Sequence, residues 1–449
     1  MNLAFDFEKY HVALNNVSPI NSQGKITKIV GLIAEAIGPV AMIGSLCDIY
    51  PSDGLPKITA EVVGFRENRI LLMPLGELHG IGPGNKVISK HRQASIDVGE
   101  SLLGRVIDGL GNPIDGKGPL ICDMSYPIYS DPVNPMKRKR IREPLGTGIK
   151  ALDGLFTVGR GQRMGIFAGS GVGKSVLLGM IAKNSTADVN VIALIGERGR
   201  ELNEFLERDL GEEGLKRSVV VVATSENLPL IRMRGAFIAS SIAEYFRDQG
   251  KHVILMMDSI TRFAMAQREV GLAVGEPPTS KGYTPSVFSL LPKLLERAGT
   301  CHESGTITGL YTVLVEGDDM NDPVADAVRA IIDGHVVLSR DLAMHGHYPA
   351  IDILNSVSRV MTDIIDKDHM TWANKLKSMM ATYRKAEDLI NIGAYVKGNN
   401  TRIDEAVSMI DSINLFLQQD IEQSVPIEES IIKLGELFNK TKEYEKVPV

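Results

Sequence analysis

The run Ala168-Gly169-Ser170-Gly171-Val172-Gly173-Lys174-Ser175, followed by Val176, has the residue types and spacing of a loop that binds phosphate. Glycines at 169, 171 and 173 permit backbone conformations that aim successive N–H groups inward, and a helix N-terminus behind them favours anions. In that setting Lys174 reaches the β- and γ-phosphates of a bound nucleotide, and the Ser175 hydroxyl ligates Mg²⁺. Ala168 stands where the strict pattern has glycine, and a small residue serves there. Two carboxylates could complete such a site. Asp258 ends the apolar run Val253-Ile-Leu-Met-Met-Asp258 and can hold the Mg²⁺ shell from the second side. Glu197, in Gly196-Glu-Arg-Gly-Arg-Glu201, follows another apolar run and can polarise a water for in-line attack on the γ-phosphate. Spacing alone leaves this second segment equally readable as a charged loop with salt bridges among Glu197, Arg198, Arg200 and Glu201.

These residues need a sheet to carry them. From about residue 160, strand candidates Arg163 to Ala168, Val189 to Ile195, Ser218 to Ala223, Val253 to Met257 and Thr306 to Val315 alternate with helical stretches. All but the last are nearly continuous apolar runs, as in a parallel sheet covered on both faces. Thr284 before Pro285 and Asp322 before Pro323 are helix starts, and Gly334 is placed to end the second of those helices. The first ninety residues read as short strands: Ile58, Ala60 and Val62 alternate with polar neighbours, and Arg66, Glu67 and Asn68 turn into Ile70–Met73. A small barrel or sandwich follows. Gly104 to Gly116 reads as turn chemistry almost throughout, inside a loop-rich region from 100 to 150. Beyond residue 365 the pattern is entirely helical.

At 449 residues the chain needs two or three domains. Its net charge of −6 and the lack of a long basic stripe exclude broad nucleic-acid binding, because phosphate-backbone affinity grows with the number of cationic contacts. The densest basic cluster, Lys137, Arg138, Lys139, Arg140 and Arg142, reads as a solvated linker. Cys47, Cys122 and Cys301 lie far apart, which fits a reducing compartment and argues against structural zinc. Ile29 to Cys47 is apolar, but Glu35, Pro39 and three glycines within it favour short strands over a spanning helix. No signal sequence opens the chain, so a cytoplasmic protein is expected, with peripheral membrane association still compatible.

The phosphate loop, the Gly196–Glu201 run and Met256-Met-Asp-Ser-Ile-Thr-Arg-Phe-Ala264 together resemble the catalytic subunits of rotary ATP synthases. Gly275-Glu-Pro-Pro-Thr-Ser-Lys-Gly-Tyr-Thr-Pro-Ser286, Leu291-Pro-Lys-Leu-Leu-Glu-Arg297 and Val315-Glu-Gly-Asp-Asp-Met-Asn321 narrow the resemblance to the ATPases of type III protein export. Within that family Gly393-Ala-Tyr-Val-Lys-Gly398 and Phe416-Leu-Gln-Gln419 look like the flagellar branch, with the injectisome branch as the close alternative. The resemblance spans essentially the whole chain. It implies an α/β fold, with a RecA-like P-loop NTPase core over 93–365, an N-terminal β-barrel domain over 1–92 and a C-terminal helical domain over 366–449. Glu197 falls on the family's catalytic carboxylate, Arg198 beside it and Arg262 near the γ-phosphate. Ser356-Val-Ser-Arg359 matches the segment that donates an arginine finger across a subunit interface, and Tyr348 matches a tyrosine stacked on adenine. The aromatic segment that completes the adenine pocket in synthase β subunits has no counterpart after Phe416.

One chain with both a catalytic glutamate and a finger for its neighbour allows an active ring of identical subunits, and the resemblance implies that this ring is a homohexamer. Met1–Tyr10, with Phe5, Phe7 and Tyr10 among acidic residues, reads equally as a site for a stator-like regulatory protein or as a frayed end. The family also implies a central stalk-like protein, and an export gate, chaperones and export substrates handled by the helical domain. Three rivals make other demands. A RecA-like nucleic-acid translocase needs a basic, aromatic-bearing N-terminal platform; an ion-coupled synthase subunit needs a different partner for activity; a nucleotide-sensing scaffold needs no catalytic carboxylate.

Overall fold

Six short strands close on themselves at the N-terminal end: β1 (Gln23–Val30), β2 (Ile33–Ile37), β3 (Ser45–Tyr50), β4 (Ile58–Arg66), β5 (Arg69–Pro74) and β6 (Lys86–Gln93), in the order β1-β2-β5-β4-β3-β6. A computed structural model describes residues 22–439 apart from 53, 303, 304, 316 and 318, so the Met1–Tyr10 segment lies outside the described residues. Closure pairs every strand on both sides and leaves no free edge. Inward side chains such as Ile26, Ala34, Cys47, Val62, Leu72 and Val87 fill the barrel. The apolar stretch from Ile29 is thus strand and turn. No helix of the described residues is long and apolar enough to cross a membrane.

The barrel is bolted to the next unit by a buried ion pair. Arg234 Nη1 donates to Glu61 Oε2 at 2.6 Å, and the Tyr129 hydroxyl donates to Glu61 Oε1 at 2.8 Å. Burial pushes the Glu61 carboxyl up while the Arg234 guanidinium opposes it.

The central sheet runs β14 (Ile351–Ser358), β13 (Gly334–Leu338), β8 (Arg163–Ala168), β12 (Thr306–Leu314), β11 (His252–Asp258), β9 (Val189–Ile195), β10 (Ser218–Ala223) and β7 (Arg105–Asp108). A two-residue strand, Gly299–Thr300, adds to β12. All of the eight are parallel to their neighbours except β14, which runs back against β13. Helices α1 (Lys150–Leu155), α2 (Lys174–Asn184), α3 (Pro229–Asp248), α4 (Ile260–Val274), α5 (Pro285–Leu295) and α6 (Pro323–Ile331) belong to this unit. The five expected strands are all present, and they are buried on both faces along almost their whole length. Helices α7 (Lys367–Asn391), α8 (Thr401–Leu417) and α9 (Ile427–Asn439) form the C-terminal region.

Three expectations need correction. Arg105–Asp108, read as turn, is the edge strand of the central sheet. Val106 and Ile107 are buried against β10, and the Arg105 fork is neutralised by Asp115 at 2.7 and 2.9 Å. Gly334 does not end α6, which stops at Ile331; it opens β13, where a Cβ would fall 2.6 Å from the Val357 carbonyl. The cluster at 137–142 is not simply solvated either. Arg138 is half-buried, and its guanidinium donates to the carbonyls of Ala298 at 2.9 Å and of Glu296.

Candidate active site

The carboxyl ends of β8, β9 and β11 bring the predicted residues to one rim of the sheet. After Ala168 the chain turns through residues 169–173, and Lys174 is the first residue of α2. Gly171 and Gly173 hold φ of 78° and 87°, the left-handed region that side chains with a Cβ rarely occupy. This conformation faces the N–H groups at the start of α2 towards a cavity of about 960 Å³. Ser170 and Ser175 are exposed at its wall; Val172 is buried and anchors the loop from behind.

Lys174 stands between two carboxylates. Its Nζ donates to Asp258 Oδ1 at 2.5 Å and lies 3.7 Å from Glu197 Oε1. Asp258 is 3% exposed, and the Thr312 hydroxyl on β12 also donates to its Oδ1, at 2.8 Å. The aspartate is therefore fixed from two directions. Glu197 follows β9 through Gly196, and its carbonyl accepts from Ser225 N at 3.0 Å. Burial first, then the Asp258 charge, pushes the Glu197 carboxyl up to about 7, with Lys174 opposing. Glu197 Oε1 is buried with no hydrogen-bond partner, and so is Arg262 Nε. A buried polar atom without a hydrogen bond is costly, and because both residues line the cavity, a group bound there can supply the missing partners.

Arg262 lies in the first turn of α4, where Ser259 Oγ accepts from its N–H at 3.3 Å. Its side chain crosses the backbone so closely that a Cβ on Gly196 would fall 2.8 Å from Arg262 Cβ. Arg198 also lines the cavity, yet its side chain is 80% exposed and stands 3.6 Å from Glu201. Glu197 and Arg262 thus converge on the Lys174 centre, while Arg198 stays at the mouth.

Tyr348 is 45% exposed and is not packed into the core. A Cβ on Gly173 would lie 3.6 Å from its ring, so the ring borders the phosphate loop. It lines a second cavity, of about 830 Å³, that shares Gly171, Gly173 and Val176 with the first. Gln418, Gln419 and Ile421 from the C-terminal region line this second cavity.

Arg359 is not brought to either cavity. It follows β14, and its N–H donates to Asp333 O at 3.0 Å, below the start of β13. Ser358 pairs with Gly334, which pairs with Met164, whereas Ala168 pairs with Leu338. Four residues of strand, about 13 Å, separate the Arg359 end of the sheet from the phosphate loop of the same chain.

Sequence reasoning missed Thr312, which looks like one more residue of an apolar strand, and Gln419, whose partners lie some 270 residues earlier. It also gave no role to Lys281 and Tyr283, which line the cavity from the Gly275–Ser286 run.

Comparison with known proteins identifies the family. Residues 148–358 match the nucleotide-binding domain model of the ATP synthase alpha/beta family, and residues 26–90 match its beta-barrel domain model. Residues 365–436 match the C-terminal domain model of the type III secretion ATPase EscN. The flagellum-specific ATP synthase of Bacillus subtilis is 55% identical over 92% of this chain and 94% of its own length. The type 3 secretion system ATPase of Xanthomonas euvesicatoria is 51% identical over 89% and 90%. The assembled ATPase EscN of the enteropathogenic E. coli type III secretion system superposes with a TM-score of 0.88 at 47% identity, covering 92% of this chain and 99% of EscN. EscN has also been solved in complex with its central stalk EscO, and that structure superposes with a TM-score of 0.85. The chain belongs to the ATP synthase alpha/beta family, in the branch that holds the flagellum-specific ATP synthases and the type III secretion ATPases.

Proposed function

We propose that the chain hydrolyses ATP as one subunit of a homohexameric ring and that this hydrolysis energises type III export of flagellar proteins. The observation that carries the ring is the placement of its cations: Lys174 sits among Asp258 and Glu197 at one end of the sheet, and Arg359 at the other. Backbone N–H groups of the phosphate loop and Lys174 bind the triphosphate, and Tyr348 stacks on the adenine. Ser175 and Asp258, hard oxygen donors, would hold Mg²⁺, which supplies charge neutralisation at the β- and γ-oxygens when bound. Glu197, held near neutral pH by burial, orients water and takes up its proton. Arg262 faces the γ-phosphate, Arg198 lies beside it, and Arg359 of the next subunit completes the site.

The barrel strands ending at Gln93 and α7 beginning at Lys367 support domain limits at 1–92, 93–365 and 366–449. The EscN complex with its stalk supports a central stalk-like partner here. A stator-like regulator at Met1–Tyr10, an export gate, chaperones and substrates, and a cytoplasmic site with peripheral membrane contact complete the proposal. The injectisome remains the second reading, favoured by the EscN superposition; the higher identity to the flagellar relative favours the first.

ATP hydrolysis measured against protein concentration tests the core of this. The rate per subunit rises with concentration, and Glu197→Gln binds nucleotide with almost no turnover. A rate per subunit independent of concentration contradicts the ring. Restoration of swimming in a flagellated bacterium lacking its own export ATPase, against no restoration of injectisome secretion, separates the two branches.

A further inference from the structure

The six residues of α1, all buried, are gripped at both ends by side chains from the far end of the chain. At its start the Lys150 N–H donates to Gln419 Oε1 at 2.8 Å. Gln419 follows α8, is 6% exposed and uses its amide on both sides: Nε2 donates to the carbonyls of Gly148 at 2.7 Å and Gln423 at 2.8 Å. At the other end, the last carbonyls of a helix have no partner within it. Here His369 Nε2 donates to Gly154 O at 2.7 Å, and Lys377 Nζ to Leu155 O at 2.8 Å. A carbonyl only accepts, so His369 carries its proton on Nε2. Both residues stand on α7, and the Phe416 ring of α8 would touch a Cβ on Gly154 at 3.2 Å.

Further contacts tie this grip to the nucleotide cavities. Gln419 N donates to the Tyr348 carbonyl at 3.0 Å, so one residue fixes both α1 and the backbone beneath the ring that borders Gly173. The turn before α1 rests on the far end of α2. Thr186 N donates to Gly146 O at 2.9 Å, and a Cβ on Gly148 would fall 2.4 Å from Asn184 Cβ. Asp153 pins that turn from within α1, accepting from Thr147 N, Thr147 Oγ1 and Gly148 N at 2.9, 2.7 and 3.1 Å.

We infer that Gln419 is a positioning residue for the base half of the nucleotide site, and that through it occupancy of the Tyr348 cavity is felt by the C-terminal helices. This rests on the ATPase reading and adds the route by which bound nucleotide reaches the helical domain. A ligand shifts a domain only when it interacts differently with the domain's alternative positions. A base stacked on Tyr348 meets that condition, because moving α8 and α9 away from α1 breaks the Gln419–Tyr348 hydrogen bond and frees the backbone under the ring. The triphosphate meets the phosphate loop and Lys174, and the hydrogen bonds of Gln419 go to neither. Losing Gln419 therefore weakens nucleotides that carry a base and spares the bare phosphate chain.

The test compares ATP with inorganic tripolyphosphate on the full-length chain. Gln419→Met keeps the volume and the backbone N–H that meets Tyr348, but removes the side-chain hydrogen bonds to Gly148, Lys150 and Gln423 that hold this backbone, and with it the Tyr348 carbonyl, in place. It raises KM for ATP about tenfold and leaves kcat within about twofold, the signature of lost ground-state binding. The Ki of tripolyphosphate as a competitive inhibitor stays unchanged. His369→Gln, at the other end of α1, lowers the melting temperature and leaves KM where it was. An unchanged KM in Gln419→Met overturns the inference, as does a tripolyphosphate Ki that rises in step or an equal KM shift in His369→Gln. Wild-type hydrogen exchange is a second test that holds even if Gln419→Met does not fold: the Lys150 amide slows when ATP binds but not when tripolyphosphate binds. Equal slowing by both ligands overturns the inference. A wild type that binds both ligands and hydrolyses no ATP refutes the ATPase reading instead, and the exchange comparison still decides the role of Gln419.

Discussion

Replacing Arg359 with alanine leaves the Lys174 cavity of the same chain untouched, because the sheet puts about 13 Å of strand between the two. In the ring proposed above, what it removes is the cation that serves the neighbouring subunit. A transition-state arginine supplied across an interface is worth about 10³ to 10⁵ in rate, roughly 4 to 7 kcal/mol of barrier. Arg359→Ala therefore loses nearly all turnover and keeps nucleotide binding, since its own phosphate loop, Lys174 and Tyr348 are intact. Glu197→Gln fails for the opposite reason: it lacks the base but still offers its arginine. In an equimolar mixture that assembles at random, about one interface in four joins an intact Glu197 to an intact Arg359, because a heterologous ring contact uses a different patch from each partner. The mixture recovers about a quarter of the wild-type rate. The assay is steady-state phosphate release above the assembly concentration, with each variant alone as baseline. If both variants assemble and bind nucleotide and mixing restores nothing, the trans placement of Arg359 is wrong.

Raised to about 7, the Glu197 carboxyl keeps its proton to higher pH than an ordinary glutamate, and the basic form needed to accept a proton from water gains above that point. The kcat/KM profile, which reports the free enzyme, should fall about tenfold per pH unit below roughly pH 6 and level off above 8. Thr312→Val removes the hydroxyl that steadies Asp258 at 2.8 Å; it lowers kcat/KM about tenfold and costs about 1.5–3 kcal/mol in denaturant unfolding, the contribution of one hydrogen bond to a charged group. Arg234→Met leaves Glu61 buried and unpaired between barrel and core and costs about 3–5 kcal/mol in denaturant unfolding. Adding Glu61→Leu recovers most of that loss, because the uncompensated charge goes with it.

What the sequence disclosed and what it hid divide along physical lines. The phosphate loop, Asp258 and Glu197 were legible because each sits at the end of an apolar strand, a local signal that needs no knowledge of neighbours. The barrel was legible from alternation and turn residues. Arg105–Asp108 was not, since four residues among glycines acquire strand character only by pairing with Ser218–Ala223, more than a hundred positions away. Gly334 misled for a related reason. Its lack of a side chain serves close packing on Val357 and Met164, which mimics a helix-ending glycine in one dimension. Arg138 looked solvated because its acceptors are backbone carbonyls near residue 297, and carbonyls have no sequence signature. The resemblance to export ATPases named Arg359, but only the strand register reveals that about 13 Å of strand separates it from the phosphate loop of its own chain.

That same register has a genetic consequence. If each site borrows one cation from next door, a defective copy does not simply subtract itself from a mixed population. A subunit lacking Arg359 spoils the site of a healthy neighbour while its own is repaired by another, and a subunit lacking both Arg359 and Glu197 disables two sites at once. Expressed beside the normal allele, the double variant should be the more dominant-negative of the two at equal abundance, and a variant that cannot assemble should be recessive.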